Sequence, residues 1–345
     1  MTDVPGVDVA GLEAWLAHAH PERAAGPLRV DVISGGRSNL TYSVAGARTP
    51  LVLRRPPLGH VLASAHDMRR EHRVISALAG TTVPVPVAVD IVDDTDAGAV
   101  TGTHFFVMEK ASGTVVAHRR HNAIYTRTGL RALSIQLAQH LADLHALEPL
   151  TVGLEGFGRP EGYLARQLST WRRQLEASRS RDTPFLDRLA TGLDGDIPAS
   201  PRASIVHGDY RLDNALVVGD GDAPRISAIL DWEMATLGDP LVDLGMLALY
   251  WDIGALPDAA TSAAPSAVDP DAGYPAAAEL VEAYAAHAGI PVPDLRWYRA
   301  FAAFKLAVIL EGIHYRYRAG DTVGDGYERI GTLVEPLARQ GLEVH

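Results

Sequence analysis

Short apolar runs separated by glycine or polar residues dominate the first hundred residues of the chain. Five of these runs have the length of strands, at 28–34, 40–44, 51–55, 85–92 and 104–108. Because Gly35 and Gly36 separate the first run from the second, the first three predict antiparallel hairpins. Residues 63–78 instead predict a helix, since apolar side chains recur on one side at Met68, Val74, Ile75 and Leu78. This part of the chain is therefore expected to be strand-rich with one main helix.

The pattern changes after Met108, where apolar residues recur at helical spacing. One row of leucines and four later segments predict helices, at Leu133, Leu137, Leu141 and Leu144 and from Tyr163, Leu241, Ala276 and Leu295. No long linker separates the two parts, which indicates two lobes joined by a hinge: residues 1–108, a hinge at 109–113 and residues 114–345. Residues 254–275 lack apolar periodicity and predict a loop, which either covers a site or is a simple insertion.

Composition excludes several classes of protein. With 345 residues, of which 47% are hydrophobic, the chain can bury a large core. Its net charge of −11 argues against nucleic acid or an anionic membrane as a partner, because phosphate groups require an excess of Lys and Arg. The chain has no cysteine, no run of about 18 apolar residues and no signal-peptide pattern, so we expect a cytoplasmic protein without disulfides or membrane spans. The sequence leaves open whether it is a monomer or a homodimer.

The stretch HGDYRLDN concentrates polar groups between two short apolar runs, 203–206 and 215–218. Asp209 and Asn214 have the spacing D-x-x-x-x-N, and Asp231 follows 17 residues after Asn214 at the end of another apolar run. The same residue types occur in this order in kinase catalytic loops. There, one Asp accepts a hydroxyl proton, while an Asn and a second Asp hold Mg²⁺ on nucleotide phosphates. Each residue alone is better explained as a turn or cap residue. Their joint spacing favours a site for phosphoryl transfer.

These residues, with several upstream segments, resemble the aminoglycoside phosphotransferase and choline kinase-like small-molecule kinases over nearly the whole chain. HGDYRLDN is similar to the family's catalytic loop, ILDWEMATLGDPLVDLG to its metal-binding segment, and SGGRSNLTY to its phosphate-covering loop. LVLRRP, REHRVISAL and FFVMEKASG resemble the third strand, the helix with the ion-pairing acid and the nucleotide-binding hinge. Two segments, LDWEMATLGDP and FKLAVILEGIHYRY, look closest to the branch of this family that is associated with acyl-CoA dehydrogenases. The resemblance implies an α+β, bilobal protein-kinase-like fold with a strand-rich N-lobe and a mainly helical C-lobe.

The resemblance also implies roles for single residues. Asp209 would be the catalytic base, and Asn214 and Asp231 would bind Mg²⁺. Arg54 stands where the family usually has the lysine that contacts phosphates, and it would pair with Glu71; Arg55 points to the other face of the strand by alternation. The remaining positions implied to bind the nucleotide are Gly35, Gly36, Ser38, Asn39, Val52, Glu109 and Ala111.

Other polar residues have structural and functional interpretations. We expect His207 to hold the loop rather than act as the base, and Asp239 to cap a helix before Pro240. Asp243 either braces the catalytic loop or lies on a helix surface, and His145 is expected to be a core or capping residue. Glu71 is as well explained by an exposed helix acid. Four residues on one face of the last long helix could line an acceptor pocket or simply pack and pair: Glu311, His314, Tyr315 and Arg318.

The function that follows is Mg²⁺-dependent transfer of the γ-phosphoryl group of ATP, or of GTP, to a hydroxyl of a small molecule. The branch resemblance favours a hydroxy acid or hydroxyacyl metabolite, whereas the acidic charge permits a cationic aminoglycoside. Two rival classes stay open: a nucleotide-binding pseudokinase, which Arg54 in place of lysine allows, and a metal-dependent hydrolase. The potential ligands of such a hydrolase are His207, Asp209, Asp231 and Glu233.

Overall fold

A computed structural model describes residues 4–33, 39–58, 67–200, 202–253, 266–320 and 327–345. Contacts between residues divide the chain into two units. The first unit contains residues 1–113 and 227–235, and the second contains residues 114–226 and 236–345. Residues 227–235, which the sequence division placed with 114–345, therefore group with the first unit. The hinge at 109–113 stays a prediction.

The first unit is built on a five-stranded antiparallel sheet with the strand order β1-β2-β3-β5-β4. Its helices and strands are α1 Val9–Ala19, β1 Arg29–Val32, β2 Leu40–Ala45, β3 Leu51–Arg55, α2 Met68–Leu78, β4 Ala88–Val92 and β5 Phe105–Glu109. The five strands and the hairpins expected from the apolar runs are thus confirmed. The central strand β3 is buried along its whole length, which suits its position between β2 and β5.

Helix α2 shows why its sequence forms a helix. The Asp67 side chain caps its first turn by accepting the backbone N–H groups of Arg69 and Arg70, at 3.0 Å and 3.3 Å. The predicted apolar row, Met68, Val74, Ile75 and Leu78, is buried as expected. Residues 63–66 of the predicted segment lie outside the described residues. The helix brings Glu71, which is only 1% exposed, to the interior of this unit, so the interpretation as an exposed acid is wrong.

A buried aspartate organises the loop between β4 and β5. The Asp94 carboxylate accepts the backbone N–H groups of Ala99, Val100, Thr101 and Gly102 at 2.6–2.9 Å. Burial by itself would raise the pKa of Asp94, but these four donors stabilise the anion and lower the pKa below its ordinary value. The charged carboxylate therefore stabilises the folded loop.

Replacing Asp94 by Asn is expected to lower the free energy of unfolding by about 2 kcal/mol at neutral pH, because charge-assisted hydrogen bonds are lost. A lowered folded-state pKa means that the wild-type contribution is present above the ordinary pKa of 3.8 and disappears as the pH falls through the folded-state value. Urea titrations at several pH values, with amide hydrogen exchange of residues 99–102, measure both effects. The neighbouring variant Asp93→Asn is the control, because Asp93 is half-exposed. Equal losses in both variants would contradict the prediction.

The second unit is mainly helical. Its helices are α3 Arg127–Ala146, α4 Tyr163–Ala177, α5 Pro184–Gly195, α6 Leu241–Ile253, α7 Ala277–Ala288, α8 Arg296–Ala319 and α9 Val334–Val344. Its strands are β6 Thr114–Val115, β7 Ser204–Val206, β8 Ala215–Val218 and β10 Thr236–Gly238, while β9 Arg225–Ile229 begins in this unit and ends in the first. The structure confirms the helix predicted from the leucine row, which is α3. It also confirms the four helices predicted to start at Tyr163, Leu241, Ala276 and Leu295, and each observed start lies within one residue of the predicted one.

Helices α6 and α8 pack closely against each other in this unit. Nearly every side chain of α6 is buried, which explains why its sequence is apolar on all sides. A Cβ atom on Gly245 would lie 2.8 Å from the backbone of Tyr298, so glycine is required for the approach of the two helices. Within the described parts of the chain, no helix combines the length and apolar character needed to cross a bilayer.

Three helices were missed by the sequence patterns: α1, α5 and α9. The segment 254–275 is described only from residue 266 onward, and there Ala267, Val268 and Tyr274 are buried. A short 3-10 turn, Pro270–Ala272, lies between them. This part of the predicted loop is therefore packed against the second unit.

Candidate active site

The polar stretch His207–Asn214 lies between two strands of the second unit, as the apolar runs predicted. Strand β7 ends at Val206 and pairs antiparallel with β10, while β8 begins at Ala215 and pairs antiparallel with β6. A short 3-10 turn, Leu212–Asn214, completes the connection. Because both ends are fixed by strand pairing, the side chains between them are held on a rigid frame.

The Asp209 carboxylate is oriented through both of its oxygens. Oδ1 accepts the hydroxyl of Tyr250 at 3.0 Å, and Oδ2 accepts the amide Nδ2 of Asn214 at 3.1 Å. The same amide nitrogen donates to the backbone oxygen of Asp209 at 2.8 Å. These contacts direct the Nδ2 of Asn214 toward Asp209, so its Oδ1 is the atom that could bind a cation. The structure thus brings two of the predicted site residues together.

A second aspartate supports the backbone of the same segment. Asp243 is completely buried and accepts the backbone N–H groups of His207 at 2.6 Å and Gly208 at 2.9 Å. Burial opposes ionisation of Asp243, but His145, His207 and the Gly208 amide lower its pKa. The side chain of His145 lies 3.4 Å from Asp243 and 2.9 Å from the hydroxyl of Tyr284. Of the two interpretations of Asp243, the brace of the catalytic loop is the one that the structure supports.

The structural interpretation of two other residues also agrees with the observed contacts. His207 is fully buried, and its Nδ1 accepts the backbone N–H of Asp209 at 3.2 Å, so it holds the loop. Asp239 accepts the backbone N–H of Leu241 at 2.9 Å and the hydroxyl of Tyr298 at 2.9 Å, as expected of a capping residue.

Glu311, which the sequence offered as a possible acceptor-pocket residue, is completely buried and pairs with Arg181 at 2.7 Å. This contact favours the interpretation of Glu311 as an ion-pairing residue.

Lys305 is a site residue that the sequence patterns did not identify. It lies on α8, is 4% exposed and donates from Nζ to the backbone oxygen of Gly208. Its Nζ lies 5.4 Å from the ring centre of Trp171. Burial lowers the pKa of Lys305, whereas the charges of Asp209 and Asp243 oppose this shift. The available signal was a single lysine within the apolar helical stretch FKLAVIL.

The first unit contains a separate charged cluster around Arg54. Its Nη1 contacts the Glu71 carboxylate, and its Nη2 lies 3.5 Å from Asp231 and 4.0 Å from Glu233. Asn39 donates to Glu233 at 2.9 Å. Burial raises the pKa of Glu71, and the Arg54 guanidinium opposes this shift. The structure therefore pairs Arg54 with Glu71, as the resemblance implied, and also places Asp231 beside Arg54.

The backbone at Asp231 has an unusual conformation. Its φ of 65° lies in the left-handed region, and it is the one non-glycine residue with positive φ in the described part of the chain. Asp and Asn enter this region more readily than most residues, but the conformation still carries a cost. Such backbone strain is concentrated at functional sites, which supports Asp231 as a site residue.

Arg55 has the other role that strand alternation predicted. Its guanidinium donates to the backbone oxygens of Gly6 at 2.6 Å and Thr101 at 3.2 Å, away from the Arg54 cluster.

Among the other predicted nucleotide contacts, Val52 is buried and Ala111 is partly exposed. Glu109 pairs with Arg23 at 2.8 Å. Gly35, Gly36 and Ser38 lie outside the described residues.

Replacing Arg54 by Met is expected to lower the free energy of unfolding by about 3–5 kcal/mol above about pH 9, because it leaves the Glu71 carboxylate buried without its partner. Burial raises the pKa of Glu71 to about 8, so the loss should shrink as the pH falls through this value, since a protonated Glu71 needs no counter-charge. Urea denaturation of the variant across this pH range measures the effect.

The matched control is the double variant Arg54→Met, Glu71→Met. It replaces the whole pair by apolar side chains and should recover most of the lost stability. If the double variant were as unstable as Arg54→Met, an unpaired charge would not be the cause.

Mg²⁺ is usually held by one or two protein oxygens together with substrate phosphates. Asn214 in the second unit and Asp231 in the first each carry a side-chain oxygen of the kind that binds Mg²⁺. No group of three His, Cys, Asp or Glu side chains suited to a metal occurs among the residues that the structure describes.

Similarity to solved structures defines the class as kinase-like small-molecule phosphotransferases. A protein from Ralstonia eutropha, described as a candidate aminoglycoside phosphotransferase, is 32% identical with a TM-score of 0.82, covering 98% of both chains. The GDP complex of aminoglycoside 2'-phosphotransferase-IIIa has a TM-score of 0.62 at 17% identity, covering 97% of this chain and 98% of its own. The ethanolamine kinase of Plasmodium vivax has a TM-score of 0.58 at 12% identity, covering 96% and 86%. The last two show the shared fold, which confirms the predicted α+β, kinase-like architecture.

The chain belongs to the phosphotransferase enzyme family, whose model matches residues 29–301. Acyl-CoA dehydrogenase family member 11 of rat is 33% identical over 98% of this chain, and member 10 of mouse is 31% identical over 95%. The chain spans 43% and 30% of the lengths of these relatives. The predicted phosphotransferase family is thus confirmed, and the relatives that match belong to the predicted dehydrogenase-associated branch.

Proposed function

We propose that this kinase transfers the γ-phosphoryl group of ATP, or of GTP, to a hydroxyl of a hydroxy acid or hydroxyacyl metabolite in a Mg²⁺-dependent reaction. The observation that carries the proposal is the Asp209 carboxylate, oriented between Tyr250 and Asn214 in a rigid loop. Each carboxylate oxygen accepts one hydrogen bond within the protein and retains a lone pair for a substrate hydroxyl. A carboxylate held in this way can accept the proton of an attacking alcohol.

Other residues of the chain have supporting roles in this proposal. Asn214 and Asp231 would hold Mg²⁺, which supplies neutralisation of phosphate charge when bound. Arg54 would bind phosphate oxygens, because its guanidinium is a fork of donors suited to them. Asp243 and Lys305 fix the backbone before Asp209 through His207 and Gly208. The chain itself thus positions the acceptor and receives its proton.

Use of a purine nucleotide as donor is supported by solved relatives. One is a GDP complex of an aminoglycoside 2'-phosphotransferase, and another is a ternary complex of an aminoglycoside phosphotransferase with AMP-PNP and hygromycin B. These two complexes contain one guanine and one adenine nucleotide, so both ATP and GTP belong in the test.

The choice of acceptor is supported by a pocket within the second unit. Its wall is mostly apolar and contains the Asp209 partner Tyr250 together with an ion pair, Arg211 and Asp213; the other members include Leu212, Trp251, Ile253 and Val268. Apolar surface beside Tyr250 favours contact with hydrocarbon of the acceptor over contact with a highly hydrated polycation, because burying hydrocarbon is favourable whereas desolvating charge is costly. The names of the curated relatives point in the same direction. An aminoglycoside is the second candidate, since the net charge is −11.

The proposal is tested by measuring ATP and GTP consumption, with and without Mg²⁺, across hydroxy acids, hydroxyacyl thioesters, amino alcohols and aminoglycosides. We expect Mg²⁺-dependent transfer to hydroxy acids or hydroxyacyl thioesters, and its loss in Asp209→Asn. Transfer to aminoglycosides alone would overturn the acceptor class. Nucleotide binding without transfer to any acceptor would favour a pseudokinase.

A further inference from the structure

Helix α6 makes two different contacts with the candidate catalytic segment of the second unit. Asp243, in its first turn, accepts backbone N–H groups of that segment, whereas Tyr250, near its other end, donates to the Asp209 side chain. The two residues are seven positions apart, a spacing that places them on the same helix face. The role of Asp243 is explained by its brace of the loop. The role of Tyr250 is not explained by packing alone.

The hydroxyl of Tyr250 is held as a donor to Asp209. Burial raises the pKa of Tyr250 well above its ordinary value, and the Asp209 charge raises it further. The hydroxyl therefore keeps its proton throughout the neutral range. The guanidinium of Arg211 lies 4.5 Å from the centre of the Tyr250 ring, within the range of a cation–π contact, and Arg211 also pairs with Asp213. The Arg211 side chain, which belongs to the His207–Asn214 segment, therefore helps to hold the Tyr250 ring in place.

We propose that Tyr250 is a positioning residue for the Asp209 carboxylate. Asn214 fixes Oδ2 and Tyr250 fixes Oδ1, so the two donors together select one side-chain conformation and one orientation of the carboxylate plane. With Tyr250 removed, the donor at Oδ2 is the one that remains among the described residues, and the carboxylate can rotate away from the acceptor. This inference rests on the proposed function, in which Asp209 accepts the proton of the hydroxyl.

The Tyr250 ring has a second neighbour, because it also lines the apolar pocket of the second unit. Replacement by Phe retains the ring and its contact with that pocket but removes the hydroxyl. The variant therefore separates orientation of Asp209, which affects turnover, from acceptor binding, which affects KM.

The matched control is Tyr298→Phe. Tyr298 is a buried tyrosine of the same unit whose hydroxyl also donates to an aspartate, Asp239, at 2.9 Å. Both variants lose one hydroxyl and one hydrogen bond to a carboxylate. Only Tyr250→Phe should alter turnover.

We expect Tyr250→Phe to lower kcat by roughly 10- to 100-fold, as a small misplacement of a reacting group does, with unchanged KM for nucleotide and acceptor. In an Asp209→Asn background the same substitution should cause no further loss of the residual turnover, because its effect acts through Asp209. Wild-type kcat in Tyr250→Phe would overturn the inference, and so would an equal loss in both backgrounds.

Crystal structures of the wild-type and Tyr250→Phe proteins supply a readout that does not need turnover. We expect one Asp209 conformation in the wild type and in Tyr298→Phe, and a changed or multiple conformation in Tyr250→Phe. An unchanged Asp209 in Tyr250→Phe would overturn the inference. If the wild type transferred phosphate to no acceptor, the proposed function would fail while these structures still decided whether Tyr250 orients Asp209.

Discussion

The Asp209→Asn variant is expected to bind nucleotide almost as well as the wild type and to turn over about 10²- to 10⁴-fold more slowly. Asn has nearly the same shape as Asp, and its oxygen can still accept the Tyr250 hydroxyl that contacts Oδ1 in the wild type. It cannot accept a proton as a carboxylate does. Its amide nitrogen would face the Nδ2 of Asn214, which donates to Oδ2 in the wild type, so one hydrogen bond is also lost.

Single-turnover kinetics with saturating nucleotide and acceptor separate the chemical step from binding in this variant. The control is Asp143→Asn, which removes a carboxylate of the same unit that pairs with His287 at 2.8 Å and contacts no site residue named above. We expect that control to behave like the wild type. Turnover of Asp209→Asn within a few-fold of the wild type would remove Asp209 from the role of base.

The Asp231→Ala variant is expected to lose Mg²⁺-dependent nucleotide binding. Asp231 is the only carboxylate proposed as a magnesium ligand, and its loss leaves Asn214 as the one protein ligand proposed here. Titration calorimetry with ATP or GTP, in Mg²⁺ and in a chelator, measures the difference directly. We expect a large difference in the wild type and none in the variant.

The conformation of the backbone at Asp231 determines the control for this experiment. Because φ is 65°, Ala introduces strain of its own, whereas Gly adopts this conformation without a steric cost. Asp231→Gly should therefore lose Mg²⁺ dependence to the same extent as Asp231→Ala while being less destabilised. If Asp231→Gly kept the wild-type Mg²⁺ dependence, the carboxylate would not be a magnesium ligand.

Local patterns predicted the strands and most of the longer helices, because their apolar side chains repeat over enough residues to define a period. Helix α1 shows where this fails: only Leu12 and Leu16 are buried on it, which is too few to distinguish a helix from a loop. Glu71 shows a different failure, since its burial depends on what packs over α2. A charged residue such as Glu71, which lies in a charged segment, is predicted to be exposed unless its ion-pair partner, here Arg54, is known.

The sequence by itself determined the family and the strand–loop–strand setting of Asp209 and Asn214, and the family resemblance implied the pairing of Arg54 with Glu71. These features are contained in contiguous motifs or in the alternation of a strand, where covalent geometry fixes spacing. Only the tertiary structure decided that Tyr250 and Lys305, 41 and 97 residues along the chain from the atoms they contact, reach the catalytic loop. The physical reason is that such contacts depend on the packing of α6 and α8, and the order of residues along a chain does not encode the distance between helices packed together.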